Sequence, residues 1–240
     1  MPTTAKVPRR KPAKPGTVAA PSSRLAGRPA AGGGDAVGAA TLVDAVCDLL
    51  RTVSPDRITR AAVARHAGVN PALINYHFKD QSSLLRAAAR GLLARFQDEV
   101  ARPLARIESA EERLRARIEG FLRFQIAYPF FHRLVTEEVL SAQTPEAGEL
   151  LAEMSRRGVA DYRAILLAGE DAGTMRHVDP VLLYLTIVGM VEQAAIGRPI
   201  LMAAGHPLAT ADEYAKRFAD FISDLLLGGL RSDGTQRSGE

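Results

Sequence analysis

The stretch that decides the fold is Thr59–Phe78, TRAAVARHAGVNPALINYHF. It reads as a short helix, a tight turn and a second short helix. Thr59 can cap the first helix. Asn70 followed by Pro71 pairs a capping side chain with a residue whose φ is already set for the first helical position. Two helices that meet across so short a turn need a small residue at their contact, a residue that tolerates the turn, and branched apolar side chains to lock them. Ala64 supplies the first and Gly68 the second, because glycine adopts positive φ at little cost. Val63, Val69 and Ile74 supply the third. The spacing from Ala64 to Gly68 to Ile74 is that of a helix-turn-helix. An ordinary packed helix pair shares part of this pattern, so the charge around it matters.

The formal net charge of the 240-residue chain is +4, unevenly spread. Residues 1–34 carry seven Lys or Arg and no acid. Residues 51–90 carry seven more (Arg51, Arg57, Arg60, Arg65, Lys79, Arg86, Arg90) against Asp56 and Asp80. From residue 91 onward the balance reverses, with 17 basic and 22 acidic residues. Phosphate contacts supply most non-specific DNA affinity, so a basic helix-turn-helix in an otherwise acidic body points to a duplex.

Outward from this stretch the chain reads as all-α. Apolar residues recur three and four apart, and no run shows the clean alternation of a half-buried strand. A first helix from about Gly38 places Leu42, Val46, Leu49, Leu50 and Val53 on one stripe. A fourth helix runs from about Ser82 to Val100 and stops before Pro103. Ser109 with Glu112, and Thr210 with Glu213, read as capping boxes ahead of apolar stripes. Helices over Pro129 to Leu140, Pro145 to Leu167, and Pro180 to Ile196 behind the Asp179 cap bring the expected total to nine. Residues 1–37, rich in Pro, Ala, Gly and Ser, bury too little to offset chain entropy and read as a disordered basic arm. Residues 231–240 read as a disordered tail.

The run Ala67–Leu85, AGVNPALINYHFKDQSSLL, resembles the signature of the tetracycline-repressor (TetR) family of bacterial transcriptional regulators. The family pattern is an Ala-Gly-Val turn, a short recognition helix ending in Tyr, His and Phe, and a Lys-rich start to the next helix. The match covers Thr41 to Arg90. The family usually has a lysine where this chain has Gln81. The resemblance implies a DNA-binding domain over residues 38–86 and a larger helical ligand-binding and dimerisation domain over 87–230. It implies a homodimer that binds a palindromic double-stranded DNA operator, most often as a repressor, and lets go when a small-molecule effector binds.

Carried onto this sequence, the second short helix enters the major groove. Its exposed positions are Pro71, Ala72, Leu73, Asn75 and Tyr76, beginning behind Asn70. Asn75 can pair with an adenine, and Ala72 or Leu73 can pack on thymine methyls. Arg60 reaches a phosphate or a guanine edge. Thr59, Tyr76, His77 and Lys79 are the implied phosphate contacts. Pro8–Pro12 and Gly27–Pro29 resemble basic, Pro-flanked pieces that lie in minor grooves. The alternative that the arm supports is a DNA-compacting protein without sequence preference.

In the body, Val181–Val191 is the longest strongly apolar stretch, short of the ~20 residues of a membrane span. Being apolar around nearly its whole circumference, it needs cover inside the subunit and from a partner copy. Phe121, Phe124, Gln125, Tyr128, Phe131 and His132, with Tyr162, Met154 and Glu138 facing them, make the candidate pocket: apolar walls with few polar groups. That balance suits a hydrophobic or aromatic effector. No cofactor is expected. Gly32–Gly34 lacks the strand and helix of a phosphate loop, Cys47 sits on the apolar side of the first helix, and the five histidines show no metal spacing. The reading is a non-enzyme, and the lone cysteine without a secretory leader makes it cytoplasmic.

Overall fold

The computed structural model describes residues 33–205 and 210–231, with side chains from residue 38 onward except that of residue 198. The basic arm up to residue 32, the tail from 232, and His206 lie outside the described residues. Among the described residues the fold is helical, with a single isolated bridge between Met175 and Arg231 in place of any strand.

The order is α1 (Gly33–Leu49), a 3-10 turn (Pro55–Arg57), α2 (Arg60–Ala67), α3 (Pro71–His77), α4 (Gln81–Phe96), α5 (Arg102–Leu104), α6 (Ala110–Ala127), α7 (Phe131–Val135), α8 (Pro145–Asp171), α9 (Pro180–Ile196), α10 (Arg198–Ala203) and α11 (Ala211–Leu230). Eleven helices are thus described where nine were expected. One of the extra two, α5, continues α4 through a π turn at Gln97–Ala101. Pro103 does not end that helix: it follows the π turn as the second residue of α5, inside the helical run. The other, α10, follows Gly197 too closely for a separate apolar stripe to show. α1 begins at Gly33, ahead of the expected Gly38, and α8 runs on to Asp171.

The expected caps are in place. Thr59 accepts from Ala62 N, Asn70 from Ala72 N, Ser109 from Glu112 N, Asp179 from Val181 N and Leu182 N, and Thr210 from Glu213 N. The reciprocal capping box is found instead at Asp80 and Ser83, where each side chain accepts from the other residue's N–H at the start of α4. Each cap satisfies donors that the first turn leaves orphaned.

Two hydrophobic cores result. The first joins α1 to α4 and extends into the body through Phe124, Tyr128, Phe131, Leu134, Val139 and Leu150. The second packs α6 and α8 with α9 and α11 around Leu114, Ile118, Leu122, Tyr162, Ile187, Val191 and Ile222. The seam between them therefore lies beyond residue 86, because α4 and the C-terminal end of α6 belong to the head's core. Arg51, in the turn that follows α1, stacks 4.5 Å over the Tyr128 ring and donates to its hydroxyl at 2.8 Å, with Arg95 donating to the same oxygen at 3.2 Å. This clamp ties the head to α6.

Candidate nucleic-acid interface and effector cavity

Gly68 has φ 68° and ψ 29°, the left-handed conformation, and Val69 N donates to Ala64 O at 3.0 Å across the turn. A side chain at this position would strain the backbone. Ile74 and Ala64 are buried in the first core, so the opposite face of α3 is turned outward.

On that face Pro71, Ala72, Asn75 and Tyr76 are exposed, Tyr76 at 68%. Arg60 Nη1 donates to Asn75 Oδ1 at 2.5 Å, and its Nη2 donates to Lys79 O at 3.1 Å. The guanidinium thus bridges the two short helices and holds the Asn75 amide by its oxygen. Lys79 is exposed beside it. Gln81, in place of the family's lysine, donates to Ile58 O at 2.8 Å and braces the 3-10 turn against α4.

Several expected contacts are placed differently. Leu73 is half-buried against the first core. His77 packs on α1 at Gly38 with its Nε2 buried, so that nitrogen is out of reach of a phosphate. The hydroxyl of Thr59 and the amide oxygen of Asn70 are engaged as caps. Among the basic residues of the head, Arg51, Arg86 and Arg90 turn to Tyr128, Glu138 and Glu153 of the body. Arg57, Arg60, Arg65 and Lys79 remain on the head. Sequence position alone could not separate the two sets, because partners 50 or more residues away decide it.

In the body a cavity of about 230 Å³ opens at the seam between the two cores. Its walls include Phe96, Phe121, Phe124, Phe131, His132, Met154 and Tyr162, all but Phe96 among the expected pocket residues. Gln125 and Tyr128 do not line it. Gln125 lies beside Tyr214 at a smaller cleft, and Tyr128, at the C-terminal end of α6, packs on Phe124 and is taken up by the arginine clamp. Glu138 does not line it either, since it pairs with Arg86.

The polar groups that do line the cavity are mostly ones that periodicity missed. Arg117, in the middle of α6, is 3% exposed. Its Nη2 donates to Asp161 Oδ2 at 3.0 Å, and its guanidinium lies 4.4 Å over the Phe96 ring and 5.3 Å from that of Tyr162. Gln97, Ser155, Tyr184 and Glu192 complete the polar lining, with Glu192 3.0 Å from His132 Nδ1. Burial pushes the Tyr162 hydroxyl up to about 12, so it stays protonated at neutral pH, and burial also raises Asp161 against the pull of Arg117. Gly158 lets Tyr184 approach α8: a Cβ there would lie 2.5 Å from Tyr184 Cε2. A charge interrupting the apolar stripe of α6 was the available signal for Arg117.

Cys47 is buried in the first core, its thiol pushed up to about 11 by burial and donating to Ala88 O at 3.6 Å. It behaves as a small apolar residue. Among the described residues no helix is long and apolar enough to cross a membrane.

Comparison with known proteins agrees with this geometry. The HTH-type transcriptional regulator BetI of Cronobacter sakazakii is 35% identical over 120 residues, 48% of this chain and 59% of that protein. The chain spans about half the length of the curated relatives it matches. A transcriptional regulator from Saccharomonospora viridis solved with choline has TM-score 0.61 at 17% identity, covering 82% of this chain and 99% of that one. AibR, solved with isovaleryl coenzyme A and operator DNA, has TM-score 0.59 at 16% identity, covering 78% of this chain and 97% of that one. Residues 106–235 match the model of the tetracyclin repressor-like C-terminal domain. With more than half its length in that match and a Gly68-hinged helix-turn-helix ahead of it, the chain belongs to the TetR family.

Proposed function

We propose that the protein is a ligand-responsive transcriptional regulator that binds a near-palindromic DNA operator as a homodimer. The observation that carries this reading is the outward face of α3, where Arg60 fixes Asn75 beside Lys79 on a basic head. Asn75 reads a base edge, with Ala72 against a thymine methyl. Arg60, Tyr76 and Lys79 take phosphate or sugar, which positions without specifying. Thr59 and Asn70 contribute through the N-terminal ends of the helices they cap, and Pro71 starts the reading helix.

One head reads too few base pairs for a unique site, so a twofold arrangement is needed. α9 and α11 supply a surface for it. α9 buries Leu183, Ile187 and Val191 yet leaves Leu182 63% and Leu185 57% exposed, and α11 leaves Phe221 63% and Leu225 57% exposed. A second copy covering this surface removes apolar area from water on both sides.

Effector response follows from where the cavity lies. Its walls come from the first core, which carries the head, and from the second, which carries the exposed face. A ligand that fits only when the cores shift relative to each other selects a state whose head spacing mismatches the operator. Relatives solved with choline or an acyl coenzyme A support a small-molecule role for such a body.

Selection of DNA from a random pool, followed by footprinting, tests the reading. The expected result is one short, near-palindromic protected site. Diffuse protection without a preferred site would instead favour a DNA-compacting protein.

A further inference from the structure

The cavity holds more hydrogen-bond donors than its own acceptors use. Arg117 is nearly fully buried, yet Nε and Nη1 have no partner among the described residues. The Tyr162 hydroxyl, also buried at the cavity wall, likewise has none. Buried donors left unpaired are costly, and unpaired guanidinium N–H groups more so. Asp161 answers only one edge of the guanidinium and is itself partly open to solvent.

We propose that the effector is an amphipathic carboxylate, its anionic head taken by Arg117 and Tyr162 and its apolar body lying among Phe96, Phe121, Phe124 and Phe131. A carboxylate offers two acceptor oxygens to a planar fork of donors, the geometry in which guanidinium binds best. The apolar walls dictate the rest of the molecule. A quaternary ammonium is disfavoured for the same reasons. The Phe96 and Tyr162 rings it would seek already lie against a buried guanidinium, whose charge would repel it, and Glu192 is engaged with His132. This inference rests on the reading of the cavity as the effector site.

Calorimetric titration of the full-length protein with octanoate, acetate, octanamide and octyltrimethylammonium tests it, alongside release of the selected operator. Octanoate is expected to bind at least about tenfold more tightly than each of the other three, since only it satisfies both the donors and the walls. Arg117→Met should remove that preference, Tyr162→Phe should weaken octanoate by about three- to tenfold, and Arg117→Lys should keep part of it. The tyrosine and lysine variants keep the test decisive if the methionine variant does not fold. Equal binding of octanamide or octyltrimethylammonium would overturn the carboxylate assignment while leaving the effector cavity in place. Acetate binding as tightly as octanoate would reduce the site to an anion hole and overturn it too. If none of the four binds or affects operator release, both the carboxylate and the effector-site readings fall.

Discussion

The two hydrophobic cores meet along one seam but face different surroundings. Among the described residues of α1 to α4, Tyr76 is the one large apolar side chain left exposed, so the first core is closed on itself and on the body. The second core is flanked by Leu182, Leu185, Phe221 and Leu225 in the open. The first is finished within one chain, whereas the second leaves open the apolar face to which the proposed function assigns a partner copy. The cavity takes walls from both, and Leu185 belongs to the cavity wall and to the exposed face at once. On the proposed function, an effector in this cavity sits where it can change how the head is held against the face that meets a second copy.

The sharpest way to break this contrast is to charge the open face. Leu182→Asp combined with Phe221→Asp should yield a folded monomer in sedimentation, with operator affinity reduced by more than about a hundredfold, because an uncompensated carboxylate is costly to bury. A dimer that survives the change would place the interface elsewhere.

Next come matched truncations inside the two cores. Ile74→Ala and Ile187→Ala remove fully buried side chains, and each should cost about 2–5 kcal/mol in urea unfolding. If the cores unfold separately, each variant shifts its own transition, whereas a single common transition for both would show that the two cores unfold as one unit.

On the head, Asn75→Ala should cost about 1–3 kcal/mol on the selected operator and relax its sequence preference. Lys79→Ala should weaken all duplexes alike and reduce the salt slope by about one. Salt titrations of both variants check this, and an unchanged slope for Lys79→Ala would remove it from the interface. Gly68→Ala should destabilise the protein by about 1–2 kcal/mol, since the added Cβ meets no neighbour and only the left-handed backbone is at issue.

The smallest expected effect is in acid. Hydrogen bonds from the Ser83 N–H and hydroxyl hold the Asp80 carboxyl below its ordinary value. Its folded pKa is lowered, so its contribution is present above the unfolded pKa and fades as pH falls through the folded one. Asp80→Asn keeps a capping oxygen and should flatten that acid limb slightly in a stability-against-pH series.

Whatever depends on neighbours within a few residues was legible in the chain. The caps at Thr59, Asn70, Asp179 and Thr210, the Gly68 turn, and the bounds of α9 all follow from local backbone chemistry. The face of α3 was half legible: Asn75 and Tyr76 are where the spacing put them, while His77 and Leu73 turn toward α1 because the first core claims them. Continuation of α4 past Pro103 was not legible, since a π turn lets the chain accommodate a residue that normally stops a helix.

Local pattern was enough to specify an all-helical protein with a basic, glycine-hinged head, because helix periods, caps and turn residues act over a few positions. Long-range packing, in contrast, selected which arginines face outward and which aromatics line the cavity, and it buried Arg117 with unpaired donors. Those outcomes depend on α4, α6, α8 and α9 meeting across large separations in sequence, where burial and partner choice are settled by packing rather than by local pattern.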